Sequence, residues 1–330
     1  MNKGVWTMAA AALAALMVFG CQQGGGTTEG KETSDKKLRI AVIPKGSTHE
    51  FWKSVQAGAN EAGSELGVEV IWKGPMKEDD REDQIKVVED FVAQGVDGIV
   101  LAPLDDTALR IPVTQAQGAN IPVLIIDSGL KDVDTVSFVA TDNFEAGKSA
   151  GQKMLDLLPN GGRLLVLRYQ EGSASTHERE EGFLSVVKGV PKVSIVSDNQ
   201  YAGATTETAQ AASERLIERF REGSGVGFDA VYCPNESSTF GMLRALQDAG
   251  LAGKVRFVGF DSSTKLVEGL EKGEIDALVV QNPFLMGKLG VEAMVKHLKK
   301  ESVEKRVDTG AKVVDKANMA DPEIARLIGR

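Results

Sequence analysis

Cysteine, histidine and aromatic residues are scarce in this chain of 330 residues, which has 2 cysteines, 3 histidines and 5% aromatic residues. Two cysteines cannot build a disulfide framework or a cysteine-rich zinc site. Three scattered histidines argue against a histidine-based metal centre. The sequence therefore predicts a protein without a bound metal ion or any other cofactor.

Long basic runs are also missing, and the net charge is −9, from 38 basic and 47 acidic residues. This balance argues against a nucleic-acid partner. A Walker loop, an HExxH zinc motif and a GxSxG nucleophile elbow are absent from the sequence. The glycines of "GSGVG", 223–227, lack the GxGxxG spacing and follow a helical pattern. Because no nucleophile and base pair is visible, we expect a protein that is not an enzyme.

The N-terminal segment combines a basic residue, Lys3, with the apolar stretch "TMAAAALAALMVFG". This stretch has signal-peptide length and is short for a membrane span. It ends at Cys21 and resembles a bacterial lipoprotein signal, in which the cysteine becomes the lipidated first residue. We expect removal of residues 1–20, a lipid on Cys21 and a flexible polar tether over 21–36. An ordinary secretory signal with a chance cysteine is the alternative.

From Lys37 onward, apolar segments alternate with amphipathic ones. "LRIAVIP", "GIVLAP" and "IPVLIID" are apolar along their length, which is typical of parallel strands buried on both faces. Helical patterns such as "HEFWKSVQAGANEAGSELG" separate them, and the same alternation starts again after "VSFVATDN". This order predicts an α/β protein with two Rossmann-like, doubly wound units of similar size.

In doubly wound sheets, ligands bind beyond the carboxyl ends of the strands. The residues at those places in this chain are polar and mostly short. They are Lys45 to Trp52, Asp127 and Ser128, Ser173 to Arg179, Asn235 and Glu236, Asp261 to Ser263, and Gln281 and Asn282. We expect these residues to meet at one binding site.

Six segments, "ANIPVLIIDSG", "FVATDN", "SASTHEREEGF", "LRALQDAG", "VRFVGFD" and "VVQNP", resemble the ribose- and galactose-type periplasmic binding proteins of ABC importers. The similarity covers about residues 37–315, and "IPK" with "WKGP" resembles the autoinducer-receptor and rhamnose-binder branch. The resemblance implies two Rossmann-like lobes joined by a three-strand hinge, the type I periplasmic binding protein fold. The three hinge strands would cross between the lobes near Thr141, Asn282 and Gly310. One lobe would comprise 37–141 and 283–310, and the other 142–282 and 311–330.

The same resemblance implies a set of sugar contacts. Phe51 and Trp52 match the paired aromatic residues that sandwich the sugar ring, and His49 stands where the ribose binder has an asparagine. The remaining implied contacts are Lys45, Asp127, Ser128, Ser175, Arg179, Asn235, Asp261 and Gln281. The aromatic residue of the second lobe is replaced by Gly203 and Ala204, and Tyr201 is the candidate substitute.

The residue types alone leave other interpretations open. Phe51 and Trp52 are also typical of the apolar start of a helix, and Asp127 and Asp261 are also typical of helix or turn caps. A polyol nevertheless suits the set, because carboxylates, amides and a guanidinium can satisfy hydroxyl groups that both donate and accept.

The resemblance predicts the substrate-binding component of a bacterial ABC sugar importer. We expect a monomer that binds a pentose, hexose or deoxysugar, is anchored to the membrane by its lipid, faces the periplasm or the cell exterior, and delivers its ligand to an ABC permease. A sensory receptor that acts through a membrane partner is the alternative. A cytoplasmic repressor is excluded, because the leader and the tether occupy the place of its DNA-binding domain.

Overall fold

The computed structural model describes residues 37–330, so the predicted signal peptide, Cys21 and the tether lie outside the described residues. The strands are β1 (Arg39–Ile43), β2 (Glu69–Trp72), β3 (Gly98–Leu101), β4 (Val123–Ile126), β5 (Phe138–Ala140), β6 (Gly162–Arg168), β7 (Val193–Tyr201), β8 (Arg221–Glu222), β9 (Gly225–Val226), β10 (Ala230–Tyr232), β11 (Arg256–Phe260), β12 (Ala277–Gln281), β13 (Arg306–Asp308) and β14 (Ala311–Asp315). The helices are α1 (Glu50–Leu66), α2 (Arg81–Gln94), α3 (Arg110–Gly118), α4 (Asn143–Leu157), α5 (Ala174–Val187), α6 (Thr206–Arg219), α7 (Glu236–Asp248), α8 (Thr264–Lys272), α9 (Pro283–Leu298) and α10 (Pro322–Leu327).

Two six-stranded sheets organise these elements. The first has the order β13-β5-β4-β3-β1-β2 and is parallel throughout. The second has the order β14-β12-β11-β10-β6-β7 and is parallel except for β14, which pairs antiparallel with β12. We call each sheet with its helices the first and the second lobe. The predicted α/β fold with two doubly wound lobes is confirmed.

Each sheet is buried on both faces, as its apolar strands require. In the first lobe, α1 and α9 cover one face of the sheet, while α2 and α3 cover the other. In the second lobe, α4 and α5 cover one face, and α6, α7 and α8 contribute to the core on the other. The described chain therefore has two hydrophobic layers per lobe, and its loops at the carboxyl ends of the strands are free to carry polar side chains.

Glycines let the site-bearing helices approach their neighbours closely. A Cβ at Gly58 of α1 would collide with the backbone oxygen of Phe284 in α9, and one at Gly147 of α4 would collide with that of Arg179 in α5. Since only glycine fits such a contact, these two helix pairs pack backbone to backbone. The packing gives α1 and α5, whose N-terminal turns face the site, fixed positions on their sheets.

The chain passes between the two sheets three times: after β5, after β12, and between β13 and β14. The passages are joined by hydrogen bonds, because the Thr141 hydroxyl donates to Gln281 Oε1 at 2.9 Å and to the Gly310 carbonyl at 3.3 Å. The lobe boundaries at these residues remain a prediction.

The C-terminal segment after β14 packs on the second lobe. Met319, Ile324 and Ile328 are buried in the core that α6, α7 and α8 share. Within residues 37–330, no helix combines the length and the apolar character that a membrane crossing needs.

Candidate functional site

The carboxyl ends of the two sheets face each other, and a narrow cavity of about 30 Å³ lies between them. Its lining comprises Lys45, His49, Phe51, Trp52, Glu78, Asp127, Tyr169, Ser175, Thr176, Arg179, Asn235, Glu236, Asp261 and Gln281. Polar residues from both lobes therefore surround one small space.

Ten of the eleven residues that the sequence proposes for the site line this cavity. Ser128 does not. Its hydroxyl is buried and accepts a hydrogen bond from the Ser175 backbone N–H at 3.0 Å, so Ser128 holds the start of α5 in place. Tyr201 does not line the cavity either, because its side chain lies at the end of β7 and is 43% exposed.

Lys45 follows β1 and reaches across the cleft. Its ammonium lies 2.8 Å from Asp127 Oδ2 and donates to the Ser175 hydroxyl at 2.9 Å. Both charged side chains are almost fully buried, at 4% exposure each. Oδ2 is held in this ion pair and makes no hydrogen bond to residues 37–330. A carboxylate oxygen has more than one lone pair, so Oδ2 keeps the capacity to accept a hydrogen bond from a ligand.

Arg179, on α5, is fixed from three sides within the second lobe. Its Nε donates to Asn143 Oδ1 at 2.9 Å, its Nη1 donates to the Pro234 carbonyl at 3.0 Å, and the guanidinium lies 4.1 Å from the ring centroid of Phe260. Its Nη2 is buried and has no hydrogen-bond partner in the described part of the chain. Arg179, which lines the cavity, therefore keeps one donor without a hydrogen bond in the described residues.

Asp261, Gln281 and Asn235 have their hydrogen bonds largely satisfied by the protein. Asp261 accepts from Gln281 Nε2 at 2.8 Å and from the Glu236 N–H at 2.9 Å. Burial raises the pKa of Asp261, against the opposing effect of Arg179. The Asn235 side chain caps α7 by accepting from the Ser238 N–H at 3.2 Å. Asn235 therefore both caps α7 and lines the cavity.

The two adjacent aromatic rings meet edge to face. The centroids of Phe51 and Trp52 are 4.9 Å apart and their planes are at 89°. Rings in direct contact cannot lie on opposite faces of one sugar, so the prediction that this pair sandwiches a ligand ring is wrong. Adjacent helical residues point about 100° apart, which explains the geometry. The pair instead forms one apolar corner of the cavity.

Glu78 and Tyr169 line the cavity, but the sequence analysis does not name them. Glu78 Oε1 lies 2.6 Å from His49 Nδ1 and accepts from Trp52 Nε1 at 2.6 Å, and Glu78 Oε2 accepts from the Tyr169 hydroxyl at 2.6 Å. Tyr169 directly follows β6, so the strand-end rule could have found it. Glu78 lies six residues beyond β2, in an acidic segment that is typical of an exposed loop, so no local pattern indicates a site residue there.

This cluster has strongly shifted pKa values. Burial alone would lower the pKa of His49, but the adjacent Glu78 carboxylate outweighs burial and raises it to about 9. Burial likewise opposes ionisation of Glu78, yet His49, Lys45 and the Tyr169 hydroxyl together lower its pKa to about 2. The two side chains therefore form a buried ion pair at neutral pH.

Two further carboxylates, Glu236 and Glu50, make contacts between the lobes at the edge of the cavity. Glu236, at the start of α7, accepts from the backbone N–H groups of Glu50 and Phe51 at 3.1 and 3.0 Å. Glu50 in turn accepts from the Thr264 N–H at 2.9 Å. Neither α1 nor α8 has a side-chain cap from its own N-cap residue. Each of these helix starts is therefore capped by a carboxylate of the opposite lobe, which is favourable for the helix dipole.

The charges that line the cavity nearly cancel. Three basic side chains (Lys45, His49 and Arg179) face four acidic ones (Glu78, Asp127, Glu236 and Asp261). Burial raises the pKa of Glu236 to about 7, so the sum is between 0 and −1 near neutral pH. Within residues 37–330, no three His, Cys, Asp or Glu side chains are grouped so that they could hold a metal ion. The cavity is suited to an uncharged polar molecule.

Comparison with known proteins places the chain in a family. Residues 40–302 match a family described as a periplasmic binding protein domain. The D-allose-binding periplasmic protein of Escherichia coli (strain K12) is 28% identical over 264 residues, covering 77% of this chain and 83% of that relative.

Two crystal structures share the fold at higher identity. An ABC transporter solute binding protein from Agrobacterium vitis with bound D-fucose is 36% identical, with a TM-score of 0.83 and coverage of 88% of this chain and 99% of that one. A carbohydrate transporter solute binding protein from Agrobacterium radiobacter in complex with D-arabinose is 34% identical, with a TM-score of 0.83 and coverage of 90% and 100%. The chain belongs to the periplasmic binding protein family.

Proposed function

We propose that the chain is the sugar-binding component of a bacterial ABC importer and that it encloses one neutral monosaccharide between its lobes. One observation carries the proposal. Asp127 and Arg179 line the same cavity, and each has one buried polar atom, Oδ2 and Nη2, that makes no hydrogen bond within the described residues. A sugar hydroxyl both donates and accepts, so neighbouring hydroxyl groups satisfy both atoms without bringing a charge. The sugars bound to the two Agrobacterium proteins support this ligand class.

The binding residues in this proposal are the ten cavity-lining residues of the sequence analysis. Lys45, Asp127 and Arg179 address hydroxyl groups, and Phe51 with Trp52 covers an apolar face of the ring. Ser175, Asn235, Asp261 and Gln281 complete the polar wall, and His49 offers a further donor. Ser128 acts indirectly, through the backbone of Ser175.

Closure of the lobes explains how a small ligand is held. A micromolar Kd corresponds to about −8 kcal/mol, which is a high demand on the roughly ten heavy atoms of a pentose. Such a ligand must be buried on nearly all sides, and contacts across the cleft, such as that of Lys45 with Ser175 at 2.9 Å, provide the enclosure. The lobes of this proposal are 37–141 with 283–310 and 142–282 with 311–330.

The proposal includes export and anchoring: a signal peptide over residues 1–20, a lipid on Cys21, a tether over 21–36 and a monomer that delivers sugar to an ABC permease. It also includes the absence of enzymatic activity. The relatives are described as binding and transport proteins, which favours transport over the sensory alternative.

Isothermal titration calorimetry of the full-length protein tests the ligand class. The panel contains D-ribose, D-allose, D-arabinose, D-fucose and D-galactose, with D-galacturonate and D-galactosamine as charged counterparts of the last. We expect micromolar or tighter binding of at least one neutral sugar, and no binding of the two charged ones, because the cavity has no uncompensated charge to pair with them. Failure of every neutral sugar to bind would contradict the proposal.

A further inference from the structure

Glu78 has no part in the proposed sugar contacts, although it lines the cavity and is only 5% exposed. It lies in the loop between β2 and α2. A Cβ at Gly46 would come within 2.8 Å of Glu78 Cγ, so a glycine leaves the room in which this side chain turns inward. The carboxylate interacts with His49, Trp52 and Tyr169 at 2.6 Å each. Because both oxygens are already used, Glu78 acts on its neighbours rather than on a ligand.

The three partners of Glu78 come from opposite sides of the cleft. His49 and Trp52 begin α1 in the first lobe, to which Glu78 also belongs, so these two contacts do not depend on closure. Tyr169 follows β6 in the second lobe, and Gln170 beside it donates to the Glu78 carbonyl at 2.8 Å. These latter contacts exist only when the lobes are together. Glu78 therefore connects His49 and Trp52, which would contact the ligand, to a residue that it reaches only when the lobes are closed.

The contacts with Glu78 decide what His49 and Trp52 present to the cavity. Trp52 is 3% exposed and its indole N–H needs an acceptor, which fixes the rotation of the ring. In His49, Nδ1 points at Glu78, and Nε2 makes no hydrogen bond to any of residues 37–330. Since the Glu78 carboxylate favours the charged imidazolium, Nε2 carries a proton and is a donor.

We propose that Glu78 is a positioning residue of the binding site: it orients Trp52, holds His49 as a donor to the ligand, and couples both to closure by accepting the Tyr169 hydroxyl from the other lobe. This inference rests on the proposed function for the nature of the ligand. The contacts among Glu78, His49 and Trp52 are independent of that function and can be tested without a sugar.

The ligand-free arm measures the titration of His49 by NMR. The chain has 3 histidines, and the resonance lost in His49→Asn identifies the one of interest, while His177 and His297 serve as internal controls. The groups that face His49 are Glu78 of the same lobe, and Glu236 and Asp261 of the second lobe, and Lys45 lies beside Glu78. We expect the titration midpoint of His49 to lie well above the usual value of about 6.5 and to fall by more than one pH unit in Glu78→Gln. An unchanged midpoint in Glu78→Gln overturns the positioning role.

The second arm measures binding and release kinetics by stopped flow, with whichever of D-ribose, D-allose, D-arabinose or D-fucose binds the unaltered protein. Tyr169→Phe removes only the hydroxyl that crosses the cleft. Hydrogen bonds to charged groups are the stronger ones, so we expect release to become about 10- to 100-fold faster, with the association rate unchanged. The matched control is Tyr232→Phe, because the Tyr232 hydroxyl is buried, has no hydrogen-bond partner in the described chain and does not line the cavity.

Thermal unfolding separates coupling to closure from a general structural role. In the ligand-free protein we expect Tyr169→Phe to leave Tm unchanged, because the lost contact belongs to the closed form. A lowered ligand-free Tm with an unchanged release rate overturns the proposal. If no sugar binds the unaltered protein, the proposed function fails, whereas the titration of His49 still decides whether Glu78 positions it.

Discussion

Asp127 and Asp261 occupy equivalent places in the two lobes but differ in the partners of their side chains. Each directly follows a strand, β4 or β11, and each has a positive φ, 61° and 71°. Their backbone N–H groups donate to the next strand in the same way, to Val139 at 3.1 Å and to Val279 at 2.8 Å. Positive φ is uncommon outside glycine, so both lobes use the same strained turn to aim a carboxylate at the cleft.

The side chains of these two aspartates differ in their partners. Asp127 pairs with the charged Lys45 and keeps Oδ2 without a hydrogen bond in the described structure, whereas Asp261 receives two neutral donors, Gln281 and the Glu236 N–H. The carboxylate of the first lobe is therefore available to a ligand, and that of the second lobe supports the wall. Equivalent positions in a duplicated architecture do not imply equivalent roles.

The largest expected loss of sugar affinity comes from removing the ion-pair partner of Asp127. Among residues 37–330, Lys45 is the one cation that forms an ion pair with Asp127, and Lys45→Met removes both this charge and a donor of the cavity. Leaving a buried charge unpaired costs about 3–5 kcal/mol, and we expect Kd to rise more than 100-fold in calorimetry. Lys73→Met is the matched control, because Lys73 also forms an ion pair, at 2.9 Å with Asp90, but on the exposed surface. A loss of less than fivefold in Lys45→Met would mean that the ion pair lies outside the binding site.

A direct comparison of the two aspartates has an intermediate effect. Asp127→Asn removes a charged acceptor that faces the cavity, and we expect a Kd about 10- to 100-fold higher. In Asp261→Asn the loss should stay below about tenfold, because both oxygens accept from the protein and not from a ligand. The Asn amide nitrogen cannot accept from one of these two donors, and that cost falls on stability and not on a ligand contact. Calorimetry of both variants with the same sugar measures the ratio. Equal losses, or a larger loss for Asp261→Asn, would refute the division of roles.

The smallest effect concerns Glu236, whose N–H donates to Asp261. Burial raises the pKa of the Glu236 carboxyl to about 7 in the closed form, above its ordinary value of 4.5. A raised pKa means that the closed form binds the proton more tightly. The free energy of closure therefore becomes more favourable as the pH falls from about 7 to about 5. We expect a several-fold lower Kd at pH 5 than at pH 8, and a flat profile across this range in Glu236→Gln.

A control for the pH experiment comes from Glu180, whose carboxyl pKa is also raised by burial to about 7. It contacts Arg168 within the second lobe and does not line the cavity. Glu180→Gln should therefore keep the pH dependence of binding. Loss of that dependence in the Glu180 variant, or its survival in Glu236→Gln, would assign the titration to a different group.

Much of the fold was predictable because its signals are local. Apolar strands and amphipathic helices alternate along the chain, and Gly67 and Gly95 end α1 and α2 in the left-handed conformation as glycine permits. The prediction that residues after the strands meet at one site also rested on a general property of parallel sheets. Asp127, Arg179 and Gln281 could be named for that reason.

Other parts of the site were not predictable from local patterns. The position of Glu78 depends on Tyr169, 91 residues away along the chain, and Ser128 turns to the Ser175 backbone instead of the cavity. The contacts of Glu78 and Ser128 therefore depend on segments that are distant along the chain. The edge-to-face contact of Phe51 and Trp52, by contrast, follows from the 100° offset of adjacent helical residues.

By itself, the sequence determined the two doubly wound lobes and the set of polar residues that meet between them, because strand periodicity and the polarity of parallel sheets operate over short segments. Only the tertiary structure decided which of those polar groups contain an atom that makes no hydrogen bond within residues 37–330. Lys45 meets Ser175 across 130 residues, and Gln281 meets Asp261 across 20. Whether a buried donor or acceptor is satisfied depends on every neighbour in space, and that is the property that distinguishes Asp127 and Arg179 from the rest of the wall.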